Sequence, residues 1–170
     1  PAARRPGRAW DVRDLDATAD LLRASYPATD PGRPFAPHSR PAEWQRYVAD
    51  LVLGQGCGRF RPSLSIAVPG PGGTLDAVAI VTDLGAGTAH LAQLAVRPGF
   101  RGAGLGADML AALSASCAGA GFARLTLLVG GSNTTARRLY ARVGFTPLAR
   151  FVSGTRAGVG GEQRRSAPAA

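Results

Sequence analysis

The chain is 170 residues long, 45% hydrophobic, and carries a net charge of +9. That is enough for one domain with a buried core. No stretch approaches about 18 uninterrupted apolar residues, so no membrane-spanning helix is expected. The charge comes wholly from arginine, because the chain contains no lysine; the 20 arginines face 11 acids. Much of the excess lies at the ends. Removing residues 1–8 and 156–170 leaves 14 arginines against 10 acids. A nucleic-acid binder would gather arginine and aromatic side chains on one folded face. Basic ends are more often merely solvated, so nucleic acid is not favoured as a partner.

The opening PAARRPGRAW has no apolar run behind it and is not expected to be a signal peptide. It lacks an initiator methionine, which fits processing or excision from a longer chain. Cys57 and Cys117 stand far apart, in no metal-like spacing, and read as free thiols in a reducing, cytoplasmic compartment. His38 and His90 belong to no local cluster of metal ligands, so no metal is expected.

Residues 1–8 and 153–170 are rich in Gly, Pro, Ala, Ser and Arg and are expected to be disordered. A folded domain is expected over 9–152. Ala9–Val12 reads as a short strand. Asp14 or Asp16 can cap a helix running to about Ser25, with Leu15, Leu21 and Leu22 apolar. Five prolines (Pro27, Pro31, Pro34, Pro37 and Pro41) exclude helix across 27–41. Helix is expected again over Ala42–Leu53, with Trp44, Tyr47, Val48 and Leu51 on one face. Leu64–Val68 and Ala77–Thr82 read as strands flanking the turn-rich PGPGG, and Gly85–Gly87 as the next turn.

Ala89–Val96 is the fourth strand in this order. Leu91 and Leu94 lie three apart, where same-face residues of a regular strand lie two apart. A bulge near Ala92–Gln93 accounts for the slip, and so does a strand buried on both faces. Leu105–Ala118 is expected to be helical, with Leu105, Met109, Leu113 and Cys117 in line. Leu125–Val129 reads as a strand, Thr134–Val143 as a helix, and Phe145–Val152 as a closing strand. Together these elements predict a mixed α/β (α+β) fold with helices on both faces of one sheet.

The segment from Val96 to Gly106 carries the sharpest chemistry. A strand ends, a turn with three glycines follows, and a helix begins. The first N–H groups of a helix have no internal partner, and the dipole places positive charge there. Glycines allow close backbone approach, and Arg101 adds charge. Three readings compete. A dinucleotide fingerprint fits Gly102, Gly104 and Ala107, but it belongs to a first βα turn and needs an acid about 20 residues on, where this chain has none. A Walker loop fails for want of lysine. A glycine-rich turn without a ligand is the second reading.

The third is a resemblance. Arg101-Gly102-Ala103-Gly104-Leu105-Gly106 resembles the [QR]-x-x-G-x-[GA] motif of the GNAT acyltransferase superfamily. Leu94-Ala95-Val96-Arg97-Pro98 looks like that family's fourth strand. Asn133-x-x-Ala136-x-x-Leu139-Tyr140-x-x-x-Gly144-Phe145 looks like its second CoA-binding motif. The close match covers about 89–148. The resemblance implies a mostly antiparallel central sheet whose fourth and fifth strands splay apart, and acetyl-CoA (CoA) as co-substrate. The pantetheine arm would pair with the main chain at Leu94, Ala95 and Val96, and contact Asn133. The pyrophosphate would sit on Gly102, Ala103, Gly104, Leu105, Gly106 and Ala107, beside Arg101.

Tyr140 matches the family's usual general acid; a phenol can protonate the departing thiolate. It also shares a helix face with Ala136 and Val143, as a core aromatic would. Two departures stand out. Position 103, often basic in the family, is alanine. No glutamate lies in the 89–96 strand, where some members keep a general base. Asp83, His90 and Gln93 are the nearest polar groups, and each also reads as a turn or satisfied strand residue. The implied activity is transfer of an acetyl group to a small-molecule or peptide amine, with a homodimer left open. The other readings are a non-catalytic CoA-binding regulatory module and an arginine-tail nucleic-acid binder.

Overall fold

The computed structural model describes residues 7–26, 36–54 and 56–150. The expected disordered ends, apart from Gly7 and Arg8, and most of the five-proline segment lie outside those residues. Six strands form one sheet: β1 (Arg8–Ala9), β2 (Arg59–Phe60), β3 (Ile66–Pro69), β4 (Leu75–Asp83), β5 (Thr88–Val96) and β6 (Arg124–Leu127). The spatial order is β1-β3-β4-β5-β6, with β2 also on β4. Every pairing is antiparallel except β5–β6, which is parallel. The parallel pair follows from chain path: helix α3 (Leu105–Gly119) is the crossover between its strands.

Helices α1 (Leu15–Ser25) and α2 (Pro41–Val52) cover one face. Their Leu21, Leu22, Trp44, Val48 and Leu51 pack with Val78 and Ile80 of β4. Helix α3 and helix α4 (Thr134–Arg142) cover the other. There Met109, Leu110, Leu113 and Cys117 pack with Ala77, Ala79 and Val81, the alternate residues of β4. The period-two alternation of one strand thus feeds two cores, as a sheet covered on both faces requires. Among the described residues no helix is long and apolar enough to cross a membrane.

Sequence reading located most elements within a few residues, and the differences have local causes. The strand expected over Leu64–Val68 is preceded by a single 3-10 turn at Pro62–Leu64, which splits one β4 neighbour into β2 and β3. Ser65 patches the break. Its Oγ donates to the Arg61 carbonyl at 3.0 Å and accepts from the Val81 amide at 2.9 Å, replacing a ladder bond. The closing strand expected over Phe145–Val152 is not formed at 145–150, and 151–152 lie outside the described residues.

The first strand is likewise Arg8–Ala9 and not Ala9–Val12, because Val12–Asp14 turns as 3-10 helix. Neither Asp14 nor Asp16 caps α1 by a side chain. Asp11 caps the 3-10 turn, and the buried Asp14 accepts from the Asp11 amide at 2.9 Å. Arg8, expected in the basic tail, belongs to the fold. It pairs with Ala67 in register and grips both Asp14 oxygens, at 2.6 and 2.7 Å.

That ion pair holds the Asp14 carboxyl below its ordinary value of 3.8, the Arg8 hydrogen bond being the largest cause. Its stabilisation is therefore present above the unfolded-state pKa and lost as pH falls through the depressed native value. Asp14→Asn should lower Tm by a few degrees at pH 7, at the roughly 2–4 °C per kcal/mol expected for this size. Thermal unfolding of both proteins across pH 2–7 (about that range) should show the gap closing on the acid side.

Candidate active site at the split in the sheet

The site begins with one extra residue in β5. Ile80 lies opposite Gln93 and Val81 opposite Leu91, so Ala92 has no counterpart on β4. This is the bulge, and it explains the slipped apolar pattern: Leu91 and Leu94, three apart, pack on the α3 side, while Ala92 and Ala95 pack on the α1–α2 side. Pairing with β6 ends at the same place. Thr88–Leu91 pair with Arg124–Leu127, and β5 continues to Val96 without a partner on that edge among the described residues. Leu94, Ala95 and Val96 therefore lie on a β5 edge beyond the end of β6.

Past Val96 the chain makes a 3-10 turn at Pro98–Phe100 and enters the glycine loop. The Phe100 amide bonds to Arg97, the Arg101 amide to Pro98, and the next amide with a backbone acceptor is Asp108, on Gly104 at 3.0 Å. Gly102, Ala103, Gly104, Leu105, Gly106 and Ala107 thus present consecutive N–H groups with no backbone acceptor among the described residues. Gly104 caps α3 at φ 84°, in the left-handed region that disfavours a side chain. At Gly106 a Cβ would lie 3.3 Å from Leu139 Cδ2 and 3.8 Å from Val96 Cγ2, so α3, α4 and β5 converge there. Asp108, the acid in the first turn, lines the separate groove between α3 and the β1–β3 edge, with Arg8 and Met109.

Arg101 is exposed, and its side chain is held by main chain: Nε donates to the Val96 carbonyl at 3.1 Å and Nη2 to the Ser25 carbonyl at 3.0 Å. Asn133 caps α4, its Oδ1 accepting from the Ala136 amide at 3.0 Å. Tyr140 packs its ring edge-on against Phe145, with centroids 5.8 Å apart, among the α3-side apolar residues. Burial pushes its phenol above the ordinary value of 10.0, so it stays protonated through the physiological range.

Of the polar groups near the missing base, two are committed. Asp83 pairs with Arg61 at 3.2 Å and Arg59 at 3.6 Å, and accepts from the Gly85 amide. Gln93 accepts from the Tyr26 hydroxyl at 2.9 Å and donates to the Tyr47 hydroxyl. This network ties the bulge to α1 and α2. Sequence reading missed it, because Tyr47 falls in the helical apolar pattern and nothing local pairs it with residue 93.

His90 differs. It is 6% exposed and sits immediately before the split, with Nδ1 3.0 Å from Thr126 Oγ1. The Thr126 hydroxyl donates its one hydrogen to the Ala89 carbonyl at 3.3 Å. A hydroxyl so engaged can accept from Nδ1–H, the tautomer that leaves a lone pair on Nε2. Burial lowers the His90 pKa from its ordinary 6.5, so the ring is neutral at physiological pH.

Among the described residues no three His, Cys, Asp or Glu side chains gather as metal ligands. Cys57 is half-buried and Cys117 buried, and burial holds both thiols above their ordinary pKa.

Comparison with known proteins agrees with this architecture. The profile of the Acetyltransferase (GNAT) family matches residues 15–145. The chain belongs to that family of acetyltransferases. No curated relative matches it in sequence. Among solved structures it resembles the ribosomal-protein-S18-alanine N-acetyltransferase of Escherichia coli, with TM-score 0.63, 22% identity, and coverage of 85% of this chain and 79% of that one. It resembles the PaiA N-acetyltransferase of Thermoplasma acidophilum, solved in complex with coenzyme A, with TM-score 0.65, 17% identity, and coverage of 83% and 89%. The aminoglycoside N-acetyltransferase AAC(6')-Iy in complex with CoA gives TM-score 0.63, 16% identity, and coverage of 92% and 98%.

The loop geometry yields a paired test. Asn tolerates the left-handed conformation of Gly104 better than most residues, and Asp is its charged isostere. Gly104→Asp should weaken CoA binding by at least about tenfold more than Gly104→Asn, a difference of ~1.4 kcal/mol. Titration calorimetry reads both, and the difference between them isolates the charge from the backbone strain.

Proposed function

We propose that this chain transfers an acetyl group from acetyl-CoA to an amine by direct attack in a ternary complex. The observation that carries the reading is the run of acceptor-less amides at 102–107, opening beside the unpaired edge of β5. An anion suits the first; an extended, amide-bearing arm suits the second. Both features are main-chain, so alanine at position 103 does not remove them. The fit extends to Asn133, whose Oδ1 is spent on the cap while its two Nδ2 hydrogens remain as donors at the start of α4.

Acetyl-CoA supplies the activated thioester and the thiolate leaving group. The protein's part is to place the partners and move protons. His90 faces the side covered by α1 and α2, and Tyr140 the side covered by α3 and α4; the split lies between them. An amine near pKa ~10 reaches the site as an ammonium and must shed a proton before it attacks. His90 Nε2 takes that proton, directly or across one water, and passes it to solvent. As the N–C bond forms and the C–S bond breaks, the Tyr140 hydroxyl gives its proton to sulfur, the acylated nitrogen sheds its second proton to solvent to leave the amide, and Tyr140 is reprotonated from solvent. A buried neutral base and a buried phenol whose pKa values are pushed apart suit this division of roles.

The acceptor is an amine on a small molecule or peptide, admitted from the α1–α2 side. The two free thiols fit a reducing, cytoplasmic setting. Thiol release from acetyl-CoA against a panel of amines tests the proposal as a whole. Tight CoA binding with no turnover on any amine or peptide N-terminus would favour a non-catalytic module.

Two variants then separate the roles. Tyr140→Phe keeps the ring against Phe145 and removes the donor. CoA affinity and Tm should stay near wild type, while turnover should fall by about 10²-fold or more. Wild-type turnover would make Tyr140 a core residue only. For His90 the base must be neutral, so kcat at saturating acceptor should fall on the acid side with an apparent pKa below 6.5, the ordinary value that burial depresses. His90→Gln should abolish that limb and lower kcat by about 10²-fold. Persistence of the limb would assign it to another group.

A further inference from the structure

Arg101 stands at the first position of the glycine loop, yet its guanidinium is not spent there. Nε reaches back to the Val96 carbonyl at the end of β5, at 3.1 Å. Nη2 reaches the Ser25 carbonyl, 76 residues away in sequence, at 3.0 Å. Ser25 is the last residue of α1, so its carbonyl is one that the helix leaves without an internal partner. A cation at that end also meets the negative pole of the helix. The next residue, Tyr26, donates to Gln93 at the bulge. A closed circuit results: β5 at Gln93, Tyr26, Ser25, Arg101, and β5 again at Val96. It encloses the unpaired stretch of β5, and it joins the phosphate-facing loop to the point where the chain leaves α1 on the acceptor side.

We propose that Arg101 is a positioning residue that couples cofactor binding to the acceptor side, with its guanidinium as a strut and not as a ligand of the pyrophosphate. The inference rests on the site proposed above and adds a link between its two halves. The planar fork is what permits it. Nε and Nη2 hold two donors at a fixed separation toward carbonyls on different elements, whereas lysine or glutamine would have to serve both from a single nitrogen. The Val96 carbonyl keeps a second lone pair, so the strut does not block pairing along the β5 edge. Order imposed on the loop by an anion passes through Arg101 to Ser25 and Tyr26. By linkage, order at the α1 end strengthens cofactor binding to the same degree.

The test uses the whole chain, CoA as probe, and the variants Arg101→Gln and Arg101→Lys. Hydrogen exchange at residues 23–26, read without CoA, should quicken by about tenfold in both variants if the strut holds the helix end. Saturating CoA should slow exchange there in the wild type and leave both variants unchanged. CoA affinity should fall by less than about threefold in both, because the phosphate is held by amides. A loss of tenfold or more in Arg101→Gln that Arg101→Lys restores would show a charge acting on phosphate and overturn the proposal. So would unaltered exchange at 23–26. Wild-type protein that fails to bind CoA would refute the cofactor site itself, whereas the exchange without CoA still reports on the strut.

Discussion

One extra residue in one strand organises this molecule. A regular β5 would pair with β4 and β6 along its length and send alternate side chains to opposite faces. Ala92 has no partner on β4, so Ala92 and Ala95 go to one core and Leu91 and Leu94 to the other. A bulge also sharpens local twist and bends its strand. The parallel ladder with β6 stops at Leu91, and among the described residues the end of β5 is left with one free edge. In a closed sheet that edge would be satisfied internally. Here it is the floor of the proposed site, and the glycine loop is its continuation.

The same split separates two chemical environments. On the α1–α2 side lie polar groups held in fixed relations: His90 oriented by Thr126, and Gln93 between two tyrosines. On the α3–α4 side lie apolar neighbours and a single phenol. Burial acts on the two titratable groups in opposite senses. It favours neutral imidazole by lowering its pKa and neutral phenol by raising it, because in both the charged form is the one penalised. Each group is thereby held at neutral pH in the form its proposed role needs, with no charged partner. That arrangement suits a chain whose acids are largely engaged elsewhere, as Asp14 and Asp83 are with arginines.

Much of this was legible in the sequence, and the parts that were not share a cause. The slipped spacing of Leu91 and Leu94 allowed a bulge or a strand buried on both faces, and only the register with β4 shows the bulge. The glycines after Val96 announced a loop at a helix start, and the downstream Asn133 and Tyr140 gave it a frame. These are local signals. Arg8 was read as tail because composition around it is tail-like; its partner Asp14 lies across a turn, and its strand partner lies at 67. The split of one strand into β2 and β3 depends on Ser65 replacing a main-chain bond, which no spacing announces. Asp14 looked like a helix cap because a short acidic residue precedes an apolar run, yet its oxygens were taken by Arg8. His90 looked like a satisfied strand residue. Its partner, the Thr126 hydroxyl, comes from a strand 36 residues on.

The distribution of function between main chain and side chain explains why the fold is shared so widely at low identity. The three solved acetyltransferases compared here keep TM-scores of 0.63–0.65 at 16–22% identity. A bulge, an unpaired strand edge and a run of free amides are backbone features. The sequence has only to permit them, through glycine at 102 and 104 and small residues where elements converge, as at Gly106. Acceptor recognition cannot be built that way, because different amines need different side chains. One of those structures is named for a ribosomal protein alanine and another for an aminoglycoside, at the same TM-score of 0.63 to this chain. Likeness of backbone therefore reaches the fold and leaves the acceptor open. In the proposed site Arg101, which touches both β5 and the end of α1, is the side chain placed to transmit the state of one end to the other.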